Sequence, residues 1–249
     1  MDYQFVASVG VGAHGRVDHY IHTPTQCPVA IKKCQDANKE VSIMNKLNQH
    51  EHVIPLLTSF HVGREIWMVM PLCDGNVKQF MNVRYPNGCN IAVASEIFCD
   101  LLKALKHVHG HHVIHRDVKP ENILRRGTTT VLADFGLASS SHEKQLSQMA
   151  TLWYRAPEVL MGSVDYAYEI DMWSAGCVYH ELRTNFPLFF QSSVPSMLKV
   201  IHRTMSDMEG AFFWMTSHEQ SLSDGLLNCV ARDRWSAEDA LQHMQKCNQ

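Results

Sequence analysis

The stretch His115-Arg116-Asp117-Val118-Lys119-Pro120-Glu121-Asn122, followed by Asp134-Phe135-Gly136, decides how this chain is read. Asp117 can take a proton from a hydroxyl, and Lys119 can lie beside a phosphoryl group in flight. Asn122 and Asp134 offer oxygen ligands that suit a hard divalent cation. Phosphoryl transfer asks a protein mainly for positioning and charge stabilisation, and this set supplies both.

The bulk properties agree with an ordinary globular protein. A chain of 249 residues can bury a sizeable core, as one large domain or two small lobes. The 22 basic and 25 acidic residues give a net charge of −3, so no global basic field points to nucleic acid or to an anionic membrane. No apolar run approaches the ~20 residues that span a bilayer. Eight cysteines are scattered without a Cys-x-x-Cys pair, and Met1-Asp2-Tyr3-Gln4 lacks the pattern of a signal peptide. Reduced thiols, in the nucleus or cytoplasm, are the expectation.

Working outward, residues 1 to about 70 read as strands broken by glycine and by Thr23-Pro24. One helix interrupts them, with Val41, Met44, Leu47 and Asn48 at helical spacing. Pro71-Leu72-Cys73-Asp74-Gly75 has the composition of a hinge. Helices dominate beyond it: Ile97, Leu101, Leu105 and Val108 form an amphipathic stripe over 92–109, closed by Gly110, and further helices are expected at 169–183, 194–206 and 236–246.

Gly10-Val11-Gly12-Ala13-His14-Gly15-Arg16-Val17 is glycine-rich, and glycine lets backbone amides approach phosphates without a side-chain clash. A plain turn has the same composition, so its neighbours decide. A dinucleotide fold needs a helix straight after the last glycine. Val17 to Ile31 reads instead as strand, turn, strand, which predicts a hairpin lid over a nucleotide. Val29-Ala30-Ile31-Lys32 then ends the third predicted strand. Its ammonium can clamp phosphates, with Glu40 on the next helix as ion-pair partner. Lysine is usually a surface residue, and it is the company of the glycine loop and catalytic stretch that favours a working one. Asp36 is a rival partner, too close to sit on the helix that Val41, Met44 and Leu47 turn inward.

The histidines at 107, 109, 111, 112 and 115 invite a zinc reading. No cysteine or carboxylate nearby completes a tetrahedral set, so the favoured reading is histidines at a helix C-terminus, where the dipole welcomes them. His115 is expected to pack behind the catalytic stretch. Glu158, in Thr151-Leu152-Trp153-Tyr154-Arg155-Ala156-Pro157-Glu158, is a candidate buried partner for Arg234, because a buried carboxylate requires one. Two unrelated surface charges are the alternative.

Together these motifs resemble those of a eukaryotic protein kinase over nearly the whole chain. The resemblance implies an α+β, bilobal fold in one kinase domain over 1–249: a small antiparallel-sheet N-lobe with one helix over about 1–70, a hinge at 71–75, and a larger, mainly helical C-lobe over 76–249. It implies ATP and Mg2+ as cofactors and a protein substrate. Asp117, Lys119, Asn122, Lys32 and Glu40 would form the catalytic set, with Asn122 and Asp134 holding the metal. Val9, Gly10, Gly12 and Gly15 would cover the phosphates. Val17, Ala30 and Leu124 would sandwich adenine, Met70 would be gatekeeper, and Leu72 and Cys73 would supply hinge hydrogen bonds. Asp171 would brace the backbone of the catalytic loop, and Thr151 would bond near Asp117 and Lys119. Lys119, two residues after Asp117, matches the serine/threonine-specific form. The Thr151–Glu158 run and Ile170-Asp171-Met172-Trp173-Ser174-Ala175-Gly176-Cys177 are similar to the cyclin-dependent kinase group.

The departures from that group are informative. Where it carries an activating threonine, five residues before Thr151, this chain has Leu146. Of the three arginines that gather the phosphate, the matching positions are Arg116, Lys39 and Ser139. Phosphate carrier and two helpers are absent together, which suggests an activation segment held without phosphate. Ala13 and His14 replace the group's inhibitory threonine and tyrosine. The short link before Glu40 trims the surface a cyclin would grip, and the 76 residues from Glu158 to Arg234 imply shortened helices between 183 and 234. These features resemble kinases that activate cyclin-dependent kinases, so a cyclin-dependent kinase is the expected substrate. Two rivals stand beside this reading: an ordinary cyclin-dependent kinase in which Ser147 or Glu143 replaces the phosphothreonine, and a pseudokinase scaffold. Against the scaffold stand Lys32, Asp117, Asn122 and Asp134 together.

Overall fold

The computed structural model describes residues 2–12, 15–140 and 151–246, without the side chains of Val11 and Gly12. Five antiparallel strands open the chain: β1 (Tyr3–Gly12), β2 (Gly15–His22), β3 (Cys27–Cys34), β4 (Thr58–Val62) and β5 (Glu65–Pro71). They lie in the order β1-β2-β3-β5-β4. The period of two along β3 sends Ala30 and Lys32 to one face and Val29, Ile31 and Lys33 to the other. Val29 and Ile31 join Tyr20 and Val69 in a small core flanked by Tyr3, Phe60 and Trp67. Lys33 lies 4.3 Å over the Trp67 ring and pairs with buried Asp18 at 2.8 Å. Of the two adjacent lysines, Lys32 therefore faces the cleft.

α1 (Asn38–Leu47) follows β3 and buries Glu40, Ile43, Met44 and Leu47. That stripe corrects the inward set expected from the sequence. Val41 is half-buried, Ile43 takes the inner position, and Asn48 caps the helix from outside it. The i, i+3, i+4, i+7 spacing from Glu40 puts the carboxylate on the same face as the apolar residues, which seat it inside.

Beyond Pro71 come β6 (Gly75–Asn76) and α2 (Val77–Arg84), which opens with a capping box between Asn76 and Gln79. α3 (Ile91–Gly110) starts at an Asn90 cap and buries Ile97, Leu101, Leu105 and Val108. The remaining elements are β7 (Val113–Ile114), β8 (Ile123–Arg126), β9 (Thr129–Leu132), β10 (Ser139–Ser140), α4 (Pro157–Leu160), α5 (Glu169–Thr184), α6 (Val194–Ser206), α7 (Met208–Ala211), α8 (Ser217–Leu226) and α9 (Ala237–Lys246). α5 is the axle of this half: Trp173, Cys177, Val178 and Leu182 on it have no exposed surface. The sequence pattern missed α2, α4, α7 and α8. The architecture is α+β and bilobal, a small antiparallel sheet with one packed helix joined to a larger helical part. Among the described residues no helix is long and apolar enough to cross a membrane.

Candidate active site

A cavity of about 320 Å³ opens where the sheet meets the helical part. Val9, Gly10, Gly15 and Val17 line it from the β1–β2 hairpin, Ala30 and Lys32 from β3, and Met70, Leu72 and Cys73 from the end of β5 and the segment after it. Leu124, Asn122 and Asp134 line it from the helical part. Gly12 pairs with Gly15 at the hairpin tip, and Ala13 and His14 between them lie outside the described residues. Gly15 has φ +129°, and a Cβ there would come within 2.5 Å of the Lys33 carbonyl oxygen, so glycine alone fits.

Lys32 Nζ donates to Glu40 Oε1 and to Asp134 Oδ1, each at 2.6 Å. Asp36 is exposed on the turn before α1, so Glu40 and not its rival reaches the ammonium. Burial alone would lower the Lys32 pKa, but the charges of Asp134 and Glu40 outweigh it and hold the group above the ordinary lysine value. The lysine stays charged. Asp134 adopts a left-handed φ of 63°, a costly backbone for a residue with a Cβ.

Asp117 is buried beside the cavity. Its Oδ2 accepts from Lys119 Nζ at 2.7 Å and from Asn122 Nδ2 at 2.8 Å. Lys119 Nζ also donates to Thr151 Oγ1 at 3.0 Å, which ties the catalytic stretch to the segment ahead of α4. Asn122 gives its second amide hydrogen to the Asp117 carbonyl at 2.8 Å, which leaves its Oδ1 as the oxygen for a cation. Asn122 and Asp134 both line the cavity, and their oxygens are the donors magnesium prefers. The lining therefore suits a magnesium nucleotide: aliphatic walls at Val17, Ala30 and Leu124, an ammonium, and two oxygen donors.

The loop itself is held from behind. Fully buried Asp171 accepts from the backbone N–H groups of His115 and Arg116, each at 2.8 Å, and from His109 Nε2 at 2.9 Å. Burial would raise the Asp171 pKa, but His109 and the backbone donors hold it below the ordinary value. It stays ionised and keeps Arg116 at a left-handed φ of 71°. His115 has no exposed surface and donates from Nε2 to the Ala133 carbonyl at 3.0 Å. Arg116 Nη1 donates to Ser139 Oγ at 3.1 Å, and buried Ser139 pairs with Ile114 across β7 and β10. Leu146, Ser147 and Glu143 lie outside the described residues. Arg234 binds Glu158 through both guanidinium ends, at 2.9 and 3.2 Å, and lies 5.2 Å over Trp173.

The five histidines of 107–115 point to separate partners. Among the described residues no group of three or more His, Cys, Asp or Glu side chains could hold a metal ion. The sequence pattern missed His109 as the third donor to Asp171, as well as Met44, Ile54 and Ala133 in the cavity wall. Ala133 was findable as the neighbour of Asp134. Met44 was findable one turn from Glu40 on the inward face of α1, whereas Ile54 and His109 come from distant elements and carry no local signal.

The protein kinase domain family matches residues 3–244. A probable cell division protein kinase of Encephalitozoon cuniculi is 35% identical over 214 residues, which cover 81% of this chain and 78% of the relative. The cyclin-dependent kinase-like 1 protein of Caenorhabditis elegans is 35% identical over 218 residues, 82% of this chain and 61% of that longer protein. With a family match over nearly its whole length and relatives of this kind, the chain belongs to the protein kinase family, in its cyclin-dependent-kinase-like group.

Proposed function

We propose that this kinase transfers the γ-phosphate of Mg-ATP to serine or threonine hydroxyls of a protein, and that it does so without a phosphate on its activation segment. Asp117 accepts the proton of the attacking hydroxyl while the oxygen–phosphorus bond forms and the bond to the β-phosphate oxygen breaks, releasing ADP. Lys119 offsets charge on the transferred group, and its bond to Thr151 supports the serine/threonine assignment. Lys32, braced by Glu40, orients the phosphates. Asn122 and Asp134 would hold the magnesium that offsets phosphate charge.

The observation that carries the phosphate-independent reading is the bond from Arg116 to Ser139. In the kinases this chain resembles, an arginine at the Arg116 position waits for a phosphate. Here a buried hydroxyl from β10 occupies it. The outward residues of α1, Asn38, Lys39, Ser42, Asn45 and Lys46, are all polar, which supports activity without a cyclin-type subunit gripping that helix. A cyclin-dependent kinase remains the proposed substrate, and the name of the Encephalitozoon cuniculi relative, a probable cell division protein kinase, supports a cell-division setting. The free thiols of the described cysteines support the nucleus or cytoplasm.

The test uses the chain purified alone and treated with phosphatase. It is given labelled ATP, magnesium and a kinase-dead cyclin-dependent kinase. Label on that protein's activation threonine is the expected result. Activity that appears only with a cyclin, or that is lost in Ser147→Ala, would favour the ordinary cyclin-dependent reading. Absence of turnover on any substrate would leave a scaffold.

A further inference from the structure

Outside the cleft, three histidines form a row between the end of α1 and the end of α3. His50 stacks on His107 with ring centroids 4.3 Å apart and planes 18° apart, and His107 meets His111 at 4.3 Å. Hydrogen bonds assign the ring protons. His107 Nε2–H donates to the Leu47 carbonyl at 3.1 Å, and His111 Nδ1–H donates to the His107 carbonyl at 2.8 Å. His50 Nδ1 accepts from the backbone N–H of His52 at 3.2 Å, which it can do only while that nitrogen carries no proton.

Leu47 is the last residue of α1, and the final carbonyls of a helix have no partner within it. Glu40 sits near the other end. We propose that His107 is a positioning residue for Glu40: it holds the C-terminal end of α1 against α3, and its place in the histidine row makes that hold weaken as the row takes up protons. The effect on phosphoryl transfer rests on the function proposed above; the effect on α1 does not.

The neighbours of the row fix the sign. From the segment after α1, Glu51 favours a charged His50, while His52 opposes it. His52 itself is occupied by the Thr130 carbonyl at 3.1 Å and by Asp100 of α3 at 3.5 Å. From β8, Arg126 lines the same cavity as His50 and Glu51 and adds positive charge. On α3, Lys103 bonds Asp100 and Lys106 pairs with Glu238. Burial first, and then the neighbouring rings, lower the pKa of His50 below the ordinary histidine value. Burial and His111 lower that of His107 despite the bond to Leu47. A lowered histidine pKa means that the unfolded or released state binds more protons. The contribution of the row is therefore complete above about pH 6.5 and is lost as the pH falls below it.

Amide hydrogen exchange over residues 44–52, corrected for the intrinsic pH dependence, tests this on the wild-type chain. Protection is expected to fall about tenfold between about pH 7.5 and 5.5. His107→Gln keeps an N–H for the Leu47 carbonyl and cannot titrate, while His50 still can, so its protection should fall less with pH than that of the wild type. The ratio of its kcat/KM to that of the wild type should rise severalfold over the same interval. Unchanged wild-type protection overturns the latch, and it decides the matter even if the variant fails to fold. Exchange as expected with a constant activity ratio overturns the link to Glu40. Exchange as expected with no phosphoryl transfer by either protein overturns the kinase function and leaves the latch standing.

Discussion

In the mechanism proposed above, Asp117 illustrates how one carboxylate is prepared for one task. Lys119 and Asn122 hold its Oδ2, and its own backbone N–H donates to His115 Nδ1 at 3.3 Å, so its position is fixed before a hydroxyl arrives. Asp117→Asn keeps the shape and removes the basicity. Turnover should drop about 10²- to 10⁴-fold, the usual range for a proton-transfer group. Asp117 does not line the cavity proposed for the nucleotide, so ATP affinity by fluorescence titration should stay nearly unchanged. Weak ATP binding in that variant would mean its role is misassigned. A second residue-scale test concerns Arg234, whose side chain has no exposed surface, and Glu158 at 15%. An exposed pair contributes about 0–1 kcal/mol, whereas breaking a buried one costs about 3–5 kcal/mol. Glu158→Gln should therefore lower the urea-unfolding free energy by several kcal/mol, and a loss below 1 kcal/mol would place this pair with surface bridges. The two charges were legible 76 residues apart because each sits in a recognisable motif. His109 was not, because its bond to Asp171 spans 62 residues and neither neighbour in sequence points to the other.

At the scale of elements, legibility followed length and periodicity. α3 and α6 run for more than three turns with an apolar face, α9 carries a shorter one, and α5 is buried nearly all round; their positions could be read from the sequence. α8 could not. Its sequence is mostly polar and contains Gly225, a residue that weakens a helix by about 1 kcal/mol relative to alanine. Tertiary packing explains the glycine. A Cβ at Gly225 would come within 2.1 Å of the Trp235 ring, and the Trp235 backbone N–H is tied to the Gly225 carbonyl at 2.8 Å. That bond fixes the Trp235 backbone, so the ring can retreat only by leaving its rotamer. Two effects oppose each other in Gly225→Ala: a propensity gain of about 1 kcal/mol against overpacking of about 1–3 kcal/mol. At 2.1 Å the clash should win, and calorimetry should show a Tm lowered by several degrees. An unchanged or raised Tm would mean that the tryptophan finds another rotamer. The short strands β7 and β10 were unreadable for a different reason: two-residue pairs have no period, and the long-range fold alone brings them together.

For the whole molecule, the distribution of histidines makes stability a function of pH over a range where carboxylates are silent. His180 on α5 meets the rings of Phe212 and Trp214 edge-on, at 5.9 and 5.6 Å. Burial lowers its pKa to about 4, against about 6.5 for a free histidine. The folded state therefore favours neutral His180, and its contribution is complete above about pH 6.5 and lost progressively as the pH falls toward 4. That shift is worth on the order of 3 kcal/mol, with His50, His107 and His218 shifted the same way. Asp18, Asp171 and Glu219 are shifted below their ordinary values, so their contributions hold above about pH 4 and disappear only below it. Acid should thus weaken the protein in two stages, the upper one carried by histidine. His180→Phe keeps an aromatic ring against Phe212 and Trp214 but removes the proton. Urea-unfolding free energies measured between about pH 7 and 5 should fall less steeply in this variant than in the wild type, while the decline below about pH 4 should be the same in both. Parallel lines through the upper stage would show that His180 is protonated in the folded state as easily as in the unfolded one, and that its aromatic surroundings do not exclude water.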